Sequence, residues 1–160
     1  MYKRQGQVVL SGTLEALAAV EDAVKAAGAR RVIRLPVSGA FHSPLMAAVA
    51  DALHAAFESE PWSDASVPVV SNVTAEPITD AGRIRSLLAE QVRSPVEWVR
   101  SVQRMRDGGV DVMIELGSGA ALAGMVRRIA PEVRVQGVGD VATLAAAAGL
   151  LGSRVEAAAS

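Results

Sequence analysis

The 160-residue chain has no cysteine, which excludes a disulfide framework and any thiolate metal site. Aromatic side chains make up only 3%, and the 16 basic residues are spread along the chain without a pattern of aromatic interleaving. With a net charge of −1, there is no electrostatic footprint for nucleic acid, and a polyanionic partner is not expected. No apolar run is long enough to span a membrane and no secretory pattern opens the chain, so no membrane association is expected and the cytoplasm is the expected compartment. Lysine is confined to Lys3 and Lys25 while arginine and alanine abound, a bias that reads as GC-rich coding DNA and carries no chemistry. Histidine is scarce as well, at His42 and His54. They lie on different elements with no carboxylate at a ligand spacing, so no metal site is expected.

What remains is 51% apolar, enough for one ordinary domain with a core. The run QVVLS (Gln7 to Ser11) reads as a strand. Thr13 can then cap a helix with its side-chain oxygen, and Leu14, Leu17, Val20 and Val24 form that helix's apolar stripe. Glu21 and Lys25 sit one turn apart on its surface, Gly28 supplies a left-handed stop, and RVIRL (Arg31 to Leu35) reads as the next strand of a β-α-β unit. Ser43-Pro44 places a cap residue and a first-turn proline before LMAAVADALHAAFES, whose wheel puts Leu45, Val49, Ala52, Leu53 and Ala56 on one face and His54 on the solvated one.

Further along, PVVS (Pro68 to Ser71) reads as a strand and Arg83 to Val92 as a helix. Ser94-Pro95-Val96-Glu97 reads as a capping box opening a helix that ends at Gly108-Gly109. Val110 to Leu116 and Val133 to Gly137 read as strands flanking a helix over Ala120 to Ile129, and an alanine-rich tail helix from Ala142 is expected to fray after Gly152. This alternation predicts an α/β fold with a mostly parallel sheet. Gly117-Ser118-Gly119 stands where an anion could bind a helix N-terminus, but it lacks both the GxGxxG and the P-loop spacing, and a compact turn is the favoured reading.

His42 lies in an irregular segment before a helix start, where side chains are presented to clefts. Histidine is the residue type best suited to general-base work near neutral pH. Position alone nevertheless favours a structural or merely exposed histidine. The surrounding pattern decides otherwise: LPVSGAFHSPLM resembles the histidine motif of malonyl-CoA:acyl carrier protein transacylases and of the acyltransferase domains of fatty-acid and polyketide synthases. The likeness continues through GQVVLSG, VPVVSNVTAEPI, EQVRSPVEWVRSV and IELGSGAALAGMVRR, from Gly6 to about Gly149.

The resemblance implies Ser/His ping-pong catalysis, in which a serine in a GxSxG elbow takes malonyl from malonyl-CoA and passes it to the phosphopantetheine thiol of acyl carrier protein in fatty-acid synthesis. Carried over by motif, His42 is the general base and Gln91, through its backbone carbonyl, orients the imidazole. Phe41 is the wall that excludes an α-branched acyl group. No cofactor is implied, and the intact enzyme is expected to be monomeric. No serine here has glycines two residues before and after it, so the nucleophile is missing, and the chain resembles only the C-terminal half of the family and is expected to be inactive alone.

The organisation implied is a remnant of a ferredoxin-like small subdomain over residues 6–36, the C-terminal part of an α/β-hydrolase-like acyltransferase subdomain over 37–151, and a frayed tail over 152–160. MYKRQ (Met1 to Gln5) has no counterpart in the family. It can be encoded by the end sequence of a transposase used in library preparation, so a non-native start is expected. Exposed apolar faces, and with them poor solubility, are expected of such a piece. Two other readings stand beside this one: a fragment of a polyketide synthase acyltransferase domain, and a non-catalytic binding module.

Overall fold

A computed structural model describes residues 2–4 and 7–158, with side chains from residue 8 to residue 152. Met1, Gln5, Gly6, Ala159 and Ser160, which belong to the expected non-native start, the first family segment and the tail, lie outside the described residues. Helices and strands alternate in the order β1 (Tyr2–Arg4), β2 (Gln7–Val8), α1 (Leu14–Ala26), α2 (Ala47–Glu58), β3 (Val69–Val70), β4 (Pro77–Ile78), α3 (Ala81–Glu90), α4 (Trp98–Asp107), β5 (Val112–Leu116), α5 (Ala121–Ile129), β6 (Arg134–Val138) and α6 (Val141–Ala158). The fold is α/β. Its parallel pairing joins β5 to β6, while β1 with β2 and β3 with β4 are antiparallel pairs.

Two compact units divide within α4, between Ser101 and Val102. Helix α1 forms as its sequence dictates: the Thr13 hydroxyl accepts the Ala16 N–H at 3.1 Å, Lys25 Nζ meets Glu21 Oε1 at 3.0 Å, and Gly28 stops the helix at φ +93°. Yet α1 buries no residue, and Leu14 is 82% exposed. The strand expected over Arg31 to Leu35 is not formed. Its β-branched residues are real strand formers, but a strand exists only when its N–H and C=O groups find a neighbour. These residues join no ladder, and Ile33 and Leu35 stay exposed.

In the remainder of the first unit, the helix expected after Ser43-Pro44 opens with a 3₁₀ turn over Pro44–Met46 and continues as α2. Ser43 does not cap it; its hydroxyl donates back to Ala40 O at 2.7 Å. His54 is exposed, as the wheel predicts, but Leu45 and Val49 of the apolar face are exposed too. Strands β3 and β4 form a hairpin whose loop, Ser71 to Glu76, is tied by the Ser71 hydroxyl accepting the N–H groups of Val73 and Thr74. The capping box read into Ser94 to Glu97 is absent. Ser94 Oγ is committed to Glu90 Oε1 at 2.8 Å, the Glu97 N–H donates to Asn72 O at 2.8 Å, and the helix starts only at Trp98.

In the second unit, β5 and β6 run in register from Val112 opposite Arg134 to Leu116 opposite Val138. Ala123, Val126, Ala130, Val133 and Ala147 are buried. Helix α6 continues past Gly152, where fraying was expected, to Ala158. Among the described residues no helix is long and apolar enough to cross a membrane.

Candidate active site

The end of α3 creates the site. A helix leaves its last carbonyls without intrahelical partners, and just past the end of α3 the carbonyls of Gln91 and Val92 receive both donors of one residue. The His42 N–H donates to Val92 O at 2.7 Å, and His42 Nδ1 lies 2.8 Å from Gln91 O. A carbonyl can only accept, so Nδ1 carries the proton of the neutral ring and Nε2 keeps its lone pair. Nε2 makes no hydrogen bond among the described residues. The imidazole is half-buried and oriented by a neutral partner that adds no buried charge.

The backbone of His42, which reaches both carbonyls, stands in the left-handed region, at φ +63°. Outside glycine this region is sparsely populated, though histidine visits it more readily than most side chains. Such a conformation persists when its surroundings over-determine it. Here the two bonds to Gln91 and Val92 and the Ser43–Ala40 bond next to them do so.

The acceptors are themselves braced. Gln91 stands at the C-cap of α3 with its N–H on Leu87 O, and its side-chain Oε1 accepts Asn72 Nδ2 at 2.8 Å. One residue earlier, Glu90 holds Arg93 through Nε at 2.8 Å and the Ser94 hydroxyl at 2.8 Å. The Arg93 guanidinium and then the Ser94 hydroxyl hold the Glu90 carboxyl below its usual range. Beneath the Asn72–Gln91 pair lies a cavity of about 120 Å³ lined by Val70, Ile78, Ile84 and Leu87, among others.

Phe41 precedes His42 in the chain. Its ring folds over Gly39, where an added Cβ would come within 3.1 Å of Cε2, and it remains 45% exposed. In the second unit, Gly117 and Gly119 turn the chain at φ +121° and +106°, values that glycine alone adopts without strain. The turn lets Glu115 reach the start of α5, where its carboxylate accepts the N–H groups of Leu122 at 3.0 Å and Ala123 at 2.8 Å. The anion at that helix N-terminus is therefore the chain's own.

A family model described as the acyl transferase domain matches residues 1–150. The chain belongs to the acyl transferase domain family. It is 37% identical over 139 residues to the malonyl CoA-acyl carrier protein transacylase of Bacillus subtilis, covering 87% of this chain and 44% of that one. To the protein of the same name in Salmonella typhimurium it is 38% identical over 146 residues, with coverages of 91% and 47%. The solved malonyl CoA-acyl carrier protein transacylase from Clostridium perfringens superposes with a TM-score of 0.89 at 33% identity, over 99% of this chain and 50% of that one. A type II PKS acyl-carrier protein in complex with its malonyl-transacylase is a further neighbour, at TM-score 0.79 and 36% identity, with coverages of 83% and 43%. The chain thus spans about half the length of the relatives it matches.

Of the residues singled out from the sequence, the structure brings His42 and Gln91 together and leaves the Phe41 ring over Gly39, 45% exposed. Asn72 and Glu115 were missed. Asn72 lies inside VPVVSNVTAEPI, one of the segments that resemble this acyl transferase family, but nothing in its spacing points at Gln91. Glu115 sits in IELGSG just before the glycine turn, and a carboxylate two residues ahead of such a turn is the signal that could have been read.

Proposed function

We propose that His42 is the general base of a malonyl transfer from malonyl-CoA to the phosphopantetheine thiol of acyl carrier protein in fatty-acid synthesis, and that it acts on a serine in a GxSxG elbow that this sequence does not contain. The observation that carries this reading is the 2.8 Å contact between His42 Nδ1 and Gln91 O, because it leaves Nε2 as the free base. The order of the family motifs and the names of the relatives support the substrate class.

In the first half-reaction the serine O–H proton passes to Nε2 as Oγ attacks the thioester carbonyl. Collapse of the tetrahedral adduct expels the CoA thiolate, which takes the proton from the imidazolium. In the second, the pantetheine S–H proton passes to Nε2, the thiolate attacks the acyl-serine ester, and the serine oxygen recovers the proton. Gln91 O holds the ring in one tautomer through both halves, the part an aspartate plays in other triads. Phe41 narrows the site against an α-branch. Alone, the chain has the base without the nucleophile and is inactive.

The test is to join the chain to a family segment carrying the GxSxG elbow and to measure malonyl transfer to acyl carrier protein with and without His42→Ala. Loss of about 100-fold or more in rate while the variant stays folded is expected of a removed general base. Undiminished transfer in His42→Ala would overturn the assignment.

A further inference from the structure

We propose that Asn72 is a positioning residue for His42, acting through the Gln91 side chain on the direction of the Gln91 carbonyl. This inference rests on the reading of His42 as the base. Gln91 stands one residue beyond α3, with φ −59° and ψ −24°. Past the end of a helix the intrahelical bonds that fix each carbonyl's direction run out. A rotation of ψ at Gln91 would swing its carbonyl away from Nδ1 without breaking any bond inside α3. The Arg93 and Ser94 N–H groups on Glu90 O, each at 3.1 Å, oppose a large rotation, and the tether on the side chain of the same residue, the 2.8 Å bond from Asn72 Nδ2 to Gln91 Oε1, adds the restraint that sets the direction finely.

The tether is only as good as its anchor, and Asn72 is anchored on three sides. It follows Ser71, which is buried and whose hydroxyl ties the hairpin loop at Val73 and Thr74. The loop closes with the Ala75 N–H on Ser71 O at 2.9 Å and with Ala75 itself held at φ +58°. The carbonyl of Asn72 receives the Glu97 N–H at 2.8 Å, which ties the loop to the chain leaving the α3 end. One continuous hydrogen-bonded path therefore runs from the hairpin through Asn72 and Gln91 to the imidazole.

The separating experiment reads the ring and not the reaction. Ring ¹⁵N chemical shifts of His42 in the full chain report the ratio of the Nδ1–H to the Nε2–H tautomer. Free neutral histidine prefers Nε2–H, so an oriented ring stands out. The wild-type chain is expected to show Nδ1–H as the main form. Asn72→Ala is expected to lower the ratio by at least about threefold, the scale of a weakened net hydrogen bond. Asn72→Asp is expected to restore it, because the Gln91 amide can turn over and donate its N–H to the carboxylate.

Gln91→Ala keeps the acceptor carbonyl and loses the tether, so it is expected to match Asn72→Ala, and the double variant is expected to be no worse than either single one. Should Asn72→Ala not fold, Gln91→Ala and Asn72→Asp carry the comparison. A wild-type ring without Nδ1–H preference would overturn the role given to His42. A wild-type ring with that preference, unchanged in Asn72→Ala or in Gln91→Ala, would overturn the role of Asn72 alone.

Discussion

Replacing Glu115 by alanine removes the only side-chain cap that α5 has among the described residues. The N-cap residue itself, Ala120, makes no such bond, so the first turn depends on the Glu115 oxygens at 3.0 Å from Leu122 N and 2.8 Å from Ala123 N. Losing an N-cap acceptor costs about 1 kcal/mol, and removing a negative charge from the positive end of the helix costs roughly 0.5 kcal/mol more. Because two N–H groups are orphaned here instead of one, about 2 kcal/mol is the expected total for Glu115→Ala. Glutamine keeps one acceptor oxygen, turns a donor toward the second N–H and loses the charge, so Glu115→Gln is expected to cost about half as much.

Native-state hydrogen exchange at the Leu122 and Ala123 amides measures the local opening of this turn directly. With about 1.4 kcal/mol per tenfold, Glu115→Ala should speed exchange at these two amides by roughly thirtyfold and Glu115→Gln by about fivefold. The amides of α3 should not change. Less than about a threefold change in Glu115→Ala, or equal costs for the two variants, would refute the argument that the carboxylate caps the helix.

The start of α6 gives a pH-dependent counterpart. The Thr143 N–H at 2.8 Å and then its hydroxyl at 2.7 Å hold the Asp140 carboxyl below its usual value of 3.8. A lowered folded-state value means that the stabilisation is fully present above the usual carboxylate range and is lost as the pH falls through the lowered one. Exchange protection at Thr143 should drop across that acid window in the wild type and show no such step in Asp140→Asn. In a protein extended to include the nucleophile segment, Phe41→Ser should raise the methylmalonyl-to-malonyl rate ratio by about tenfold or more; competition between the two CoA esters reads it, and an unchanged ratio removes Phe41 as the wall. The isolated chain should self-associate, because Leu10, Ile33, Leu35, Val37 and Leu45 stand exposed in the first unit. A monodisperse monomer in sedimentation velocity would contradict this.

Local signals were legible wherever the cause is itself local. The Thr13 cap, the Glu21–Lys25 pair and the Gly28 stop each depend on residues within one or two turns, and each is present. Failures came where a group had a distant competitor or needed a distant partner. Ser94 looks like a cap only until Glu90 claims its hydroxyl. Arg31 to Leu35 carries the right residues for a strand and finds no ladder. The approach of His42 to Gln91 across 49 positions was legible solely through the family motif, since no periodicity encodes it. Asn72 stayed hidden for the same reason: an asparagine in a turn is explained by the turn.

That the ring's partner is a main-chain carbonyl has an evolutionary corollary. Every amino acid carries this acceptor, so no substitution at position 91 can delete it, and an alanine there removes only the tether that aims it. The functional group is written into where α3 ends and not into a codon. Selection can act on it only through whatever sets that ending and through the side chains that aim it, and directed chemistry reaches the acceptor itself only by exchanging the amide that joins Gln91 to Val92 for an ester.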